Sequence, residues 1–143
     1  PRVFVAGASG MNAVLNRIAL DLTELAGQGL KSIAVICKTA TESQLVYERL
    51  RGILGPSLKI HLVRARDRRF VRGVVVIPSY LAKGLEFEAV LVYGADENHY
   101  SHPDDRRLLH MVCTRALHRL FLYCDGSMSP FLSQVDPELY EGV

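Results

Sequence analysis

Apolar residues along this chain fall into short unbroken runs, separated by longer stretches in which they recur every three or four positions, and these two periods assign the elements. Val3 to Ala6 is a β-branched and aromatic run closed by Gly7, and Val14 to Leu25 has helical spacing until Gly27-Gln28-Gly29 stops it. Ile33 to Cys37 is continuous, the mark of a strand buried on both faces, and Thr41-Glu42-Ser43 opens a helix that runs to about Leu54, ahead of Gly55-Pro56. Lys59 to Val63, Val74 to Ile77, Ala89 to Tyr93 and Leu120 to Tyr123 read as further strands, with a helix expected from Asp105 to Leu117. Buried runs alternating with helices predict an α/β fold with a mainly parallel sheet covered on both sides. Ligands of such sheets gather at the carboxyl ends of the strands, so functional segments are expected there or on the adjoining helices. The tail after Asp125 is punctuated by Ser and Pro and is expected to pack loosely.

A chain of 143 residues fits one domain with a core that needs no staples. The net charge of +2 is too small to announce a nucleic-acid binder, so the local placement of charge carries more weight than the total. Cys37, Cys113 and Cys124 sit singly in apolar segments without zinc-site spacing, which reads as buried reduced thiols in a cytoplasmic protein and predicts no metal site. No apolar run reaches the roughly 20 residues of a membrane span, so no membrane partner is expected. The opening Pro1-Arg2, without methionine or signal peptide, points to a piece of a longer polypeptide.

The segment Ser79-Tyr80-Leu81-Ala82-Lys83-Gly84-Leu85-Glu86-Phe87 concentrates anion-site chemistry: backbone amides, a cation at Lys83, a glycine that lets backbone approach a ligand, and a carboxylate at Glu86 suited to a ribose. Tyr80 offers a flat face to a base. Arg115 stands between Val112-Cys113 and Ala116-Leu117, where a charge that never titrates calls for an anionic partner. Arg106 and Arg107, about two turns earlier on the same expected helix, follow the acids Asp104 and Asp105 at its start and read as solvated. Arg64, Arg66, Arg68, Arg69 and Arg72 crowd into nine residues, read either as a solvated basic hairpin or as a phosphate or protein contact. Gly7-Ala8-Ser9-Gly10 between a strand and a helix leaves open a dinucleotide turn, with Lys38 as the cation an NADP phosphate would want. Val90 to Glu97 superficially imitates a strand ending in metal-binding acids, but Asp96 and Glu97 read as loop carboxylates. No Gly-x-x-x-x-Gly-Lys-Ser/Thr occurs, so the chain has no phosphate-binding loop of that type.

With these residues in place, PSYLAKGLEFEAVLV (78–92) resembles motif V, and RRLLHMVCTRALHRLFL (106–122) resembles motif VI, of superfamily 1 helicases of the UvrD/Rep type. The wording of residues 78–87 is most similar to the helicase IV/HelD-like branch, and Ile33 to Gln44 is similar to motif IV. The resemblance implies a three-layer RecA-like (P-loop NTPase-type) domain over residues 1–125, lacking its own Walker A, with motif IV near 33–44, motif V at 79–87, motif VI at 106–119 and a tail at 126–143. It implies the C-terminal motor domain of an ATP-dependent DNA helicase or translocase, inactive alone. Arg115 would be the arginine finger, Lys38, Lys83, Gly84 and Glu86 nucleotide contacts, and Tyr80, Arg64, Arg66, Arg68 and Arg69 nucleic-acid contacts. ATP and Mg²⁺ would be held mainly by an N-terminal RecA-like domain of the same polypeptide, and single-stranded DNA would be the track. An ATP-driven factor that remodels RNA polymerase, in the HelD-like manner, and an NADP-binding oxidoreductase are the alternatives.

Overall fold

A computed structural model describes residues 1–67, 72–132 and 140–142. Its elements, in chain order, are β1 (Arg2–Ala8), α1 (Met11–Gly27), β2 (Ser32–Cys37), α2 (Ala40–Leu54), β3 (Ile60–Leu62), β4 (Gly73–Pro78), α3 (Ser79–Ala82), β5 (Phe87–Tyr93), α4 (Asp105–Cys113), β6 (Ala116–Asp125) and β7 (Tyr140–Gly142). The strands form one sheet in the order β3-β4-β2-β5-β6-β1-β7, and every pair of neighbours is parallel. The α/β fold and its parallel sheet are therefore as the hydrophobic pattern requires.

The central strands explain the unbroken runs. Ile33 to Cys37 and Ala89 to Val92 are fully enclosed, with Ile36 registered between Ile77 and Val92, because helices cover both faces. On one face α1 and α2 press Leu15, Ile18, Leu22, Val46 and Leu50 onto alternate residues of the strands. On the other, α3, α4 and residues 128–132 enclose Leu81, Leu109, Val112 and Leu132 with the remaining strand residues. Tyr123 ties sheet to helix by donating its hydroxyl to buried Asp21 at 2.5 Å.

Two expectations change. The helix expected to reach Leu117 ends at Cys113, and β6 begins at Ala116, not Leu120. Helical spacing persists in the letters, but Leu117 is 48 % exposed, and sheet pairing claims the backbone instead: Phe87 N–H donates to the Arg115 carbonyl at 2.9 Å and Phe87 registers with Ala116. Arg115 thus lies in a turn, no longer on one helix with Arg106 and Arg107. The tail is also not loose over its described part. Ser129 is fully buried and donates its N–H to Ala95 O, Met128 bridges to Asp96, and Tyr140–Gly142 adds a strand beside β1.

Candidate functional site: two edges of one sheet

Parallel strands need connections that carry the chain from the carboxyl edge back to the amino edge. Residues 79–86 make that return between β4 and β5, and residues 94–115 make it between β5 and β6. Tyr80 and Ser79 therefore sit at the carboxyl edge, whereas Gly84, Glu86 and Arg115 arrive at the amino edge. The expectation that functional segments lie by the carboxyl ends or on the adjoining helices holds for Ser79 and Tyr80 on α3 and is corrected for Gly84, Glu86 and Arg115, and the cause is topological.

At the amino edge the two segments meet in one corner. The Arg115 guanidinium donates from Nε to Met111 O at 3.1 Å, from one terminal nitrogen to Leu85 O at 3.3 Å, and from the other to Thr114 Oγ1 at 3.2 Å. Three of its five N–H groups are spent on neutral oxygens, which leaves two and the whole charge unspent. Among the described residues no carboxylate pairs with it. Gly84 has φ +84°, a conformation that favours glycine, and a side chain there would meet no neighbour within 4 Å, so its backbone is open to a ligand. Lys83 and Glu86 flank it, both exposed and without an ion pair. The corner thus offers a rigid cation, open backbone, a mobile ammonium and a carboxylate, which is chemistry for a phosphorylated sugar.

The carboxyl edge is different, because its charges satisfy one another. His99 lies between two acids, with Nε2 2.8 Å from Glu42 Oε2 and Nδ1 2.7 Å from Asp96 Oδ1. The bond to Glu42 raises its pKa to about 9, against the opposing effect of burial and with help from Asp96, so the ring is an imidazolium at neutral pH. Lys38 Nζ donates to the His99 carbonyl at 2.6 Å and pairs with Asp105 at 3.0 Å. Burial pushes the Asp105 carboxyl up, but its bond to Lys38 and that cation's charge outweigh burial and hold it below its ordinary value. Asp96, a loop carboxylate as read from the sequence, is wholly buried and also accepts from Asn98 N–H and Asp125 N–H, while its neighbour Glu97 is exposed.

This network decides two expectations. Lys38 is employed at the first turn of α4, whereas Arg115 follows the last turn, with roughly 13 Å of helix between them at 1.5 Å per residue; the structure does not bring the two together. Gly10 N–H donates to Asp125 Oδ1 at 3.0 Å, and Gly7 and Ala8 still belong to β1. A pyrophosphate at this helix start would meet a carboxylate already in place, so the dinucleotide alternative is set aside.

Tyr80 is 57 % exposed and points away from the core on α3. Arg64 and Arg66 are exposed beyond the end of β3, while Arg68 and Arg69 lie outside the described residues. The cysteines are all free, and burial pushes the thiols up, to about 12 for Cys113 and about 11 for Cys124, which makes them inert. Among the described residues no three His, Cys, Asp or Glu side chains converge as a metal would need, and no helix is long and apolar enough to cross a membrane. Sequence reading passed over His99 altogether and took Glu42 for a helix opener, because their contact spans 57 positions with no local pattern to announce it.

Residues 73–123 match the model of the UvrD-like helicase C-terminal domain family, a stretch that holds β4 through most of β6 and the whole amino-edge corner. Over 99 % of its length the chain is 33 % identical to the C-terminal domain of a possible DNA helicase from Lactobacillus plantarum WCFS1, covering 84 % of that chain with a TM-score of 0.84. Two DEAD-box domains share the fold at lower identity. Domain 2 of Mss116p, solved bound to an RNA duplex, is 14 % identical over 86 % of this chain and 54 % of its own, with a TM-score of 0.57. The C-terminal domain of Dbp5 is 13 % identical over 85 % and 75 %, also with a TM-score of 0.57. A search of curated proteins found no match.

Proposed function

Since the chain belongs to the UvrD-like helicase C-terminal domain family, we propose that it is the second lobe of an ATP-dependent DNA helicase or translocase, completing a nucleotide site whose phosphate-binding loop lies on an N-terminal RecA-like lobe of the same polypeptide. The observation that carries this reading is the unpaired guanidinium of Arg115, held by three neutral oxygens at the amino-edge corner. Held in this way, a cation loses little entropy when charge develops on a transferring γ-phosphoryl group, which is what an arginine finger requires. Glu86 and the open backbone at Gly84 suit the nucleotide's sugar and Lys83 its phosphates. Lys38 has no part in this assignment because Asp105 already holds it. Mg²⁺ would supply charge neutralisation between the nucleotide's phosphates from the other lobe.

Single-stranded DNA would lie on the opposite edge. Tyr80 presents a face for stacking there, and Arg64, Arg66, Arg68 and Arg69 are candidate phosphate contacts. The segment 79–87 would then link the two sites, since it begins at Tyr80 and ends at the nucleotide corner. Closing the cleft would be felt along one stretch of backbone. The HelD-like wording of residues 78–87 favours a second reading, remodelling of an RNA polymerase with the same motor. Stimulation of the full-length ATPase by polymerase, with single-stranded DNA without effect, would select it.

Arg115→Ala in the full-length protein tests the central assignment. ATP binding should remain nearly intact while turnover falls by ~10³ to 10⁵, the range of arginine fingers in other nucleotidases. Turnover within a few-fold of wild type would remove Arg115 from the mechanism.

A further inference from the structure

Along the open edge of the sheet runs a row of charges with no neutralising partner among the described residues. β3 is the outermost strand, paired only with β4. Beside its amino end a shallow concavity of about 440 Å³ is lined by Arg51 from the last turn of α2, by Lys59 and His61, and by the backbone of Gly55 and Pro56. Beyond its carboxyl end stand Arg64 and Arg66, and Arg72 precedes β4. None of these side chains has an ion pair or a hydrogen bond among the described residues. Some cations elsewhere do have partners, carboxylates for Lys38 (Asp105) and Arg17 (Asp21) and neutral amides for Arg119 (Gln28) and Arg49 (Asn12). The nearest acid in sequence to Arg51 on α2, Glu48, accepts instead from Gln44.

From Lys59 to Arg64 the extended chain covers roughly 16 Å at 3.3 Å per residue. Over that length a duplex presents about nine phosphate charges, one per 1.7 Å of axis. Single-strand sites add aromatic platforms to their cations, but the exposed aromatic among the described residues is Tyr80, on α3, while Tyr47 in this concavity is half-buried against the core. Among the described residues these cations stand without a stacking surface, which matches contact with phosphates alone.

We propose that the β3 edge, through Arg51, Lys59 and His61, is a binding site for the phosphate backbone of duplex nucleic acid, adjoining at Arg64 and Arg66 the single-strand track assigned to Tyr80. Contacts to phosphates carry no sequence information, so duplexes of unrelated sequence should bind alike. The site requires no nucleotide, so either outcome at Arg115 leaves it standing.

The test is the salt dependence of binding by the 143-residue chain to labelled DNA duplexes of unrelated sequence. Each phosphate contact removed should lower the slope of log K against log salt by about 1. Arg51→Ala with Lys59→Ala should therefore make the slope shallower by about 2 and weaken all duplexes alike, while a single strand of the same length loses far less. The exchange Arg51→Lys with Lys59→Arg keeps both charges and should keep the slope. An unchanged duplex slope in the alanine variant, or a loss equal on single strands, overturns the proposal; in the first case the edge would instead suit an acidic protein.

Discussion

His99→Gln removes the one positive charge between Glu42 and Asp96 without emptying the site. In the folded chain the imidazole has a pKa of about 9, against 6.5 for the free side chain, because Glu42 and Asp96 together outweigh the cost of burial. The folded state therefore holds a proton that the unfolded state releases between those two values. Stability from this source is complete below about pH 6.5 and is lost as pH rises through 9. The rise from 6.5 to about 9 amounts to about 2 to 3 kcal/mol at pH 7 and almost nothing at pH 9.5. For a domain of this size that is a change in Tm of about 10 °C. Urea or thermal unfolding of the chain and its His99→Gln variant, repeated between pH 6 and 9.5, measures it. Both proteins should lose stability above about pH 9, where the unfolded chain ionises thiols that the fold keeps protonated. The His99 contribution is therefore the gap between the two curves, which should be widest at the acid end and close at the alkaline end. Parallel curves, or a difference under 1 kcal/mol at pH 7, would refute the reasoning and make His99 a neutral packing residue.

Gly94→Ala should be costly for two separate reasons. Its φ of +74° disfavours any side chain, and a Cβ would stand 2.8 Å from the His99 ring; a loss of about 2 to 4 kcal/mol in denaturant unfolding is expected. Lys38→Met strips Asp105 of its partner and should cost about 1 to 2 kcal/mol at pH 7. Asp105 is held below its ordinary value in the fold, so the wild-type advantage should fade as pH drops through the carboxylate range, and a gap that persists at pH 2 would contradict it.

The sheet was readable in the letters because burial on both faces forces unbroken apolar runs, and Ile33 to Cys37 or Ala89 to Tyr93 can hardly be anything else. The end of α4 was not, because Ala116 and Leu117 continue a helical spacing while the pairing of Phe87 with Ala116 is a tertiary fact. The corner was half legible. Gly84, Glu86 and Arg115 stood out by residue type, but their convergence follows from two crossover connections ending at the same edge. The network around His99 was hidden, since an acid in the first turn of a helix has a sufficient local explanation and Glu42 gave no hint of a histidine 57 residues away.

The contrast between the two edges bears on how a half-site should be recognised. The rule that ligands gather at the carboxyl ends of parallel strands describes a sheet that binds its ligand alone, with helix N-termini aimed at it. Here that edge is filled by the chain's own groups: Asp125 caps the amide of Gly10, Lys38 neutralises Asp105, and His99 bridges Glu42 and Asp96. Internal pairing of this density fixes the loops at the ends of β2, β5 and β6, and it anchors the start of α4. Just past the other end of that helix Arg115 is oriented by neutral carbonyls and a hydroxyl, which direct a guanidinium without discharging it. The proposed second-lobe role would use this division of labour: ionic partners hold the carboxyl edge rigid, and the charge of Arg115 stays available for a phosphate that another lobe would bring.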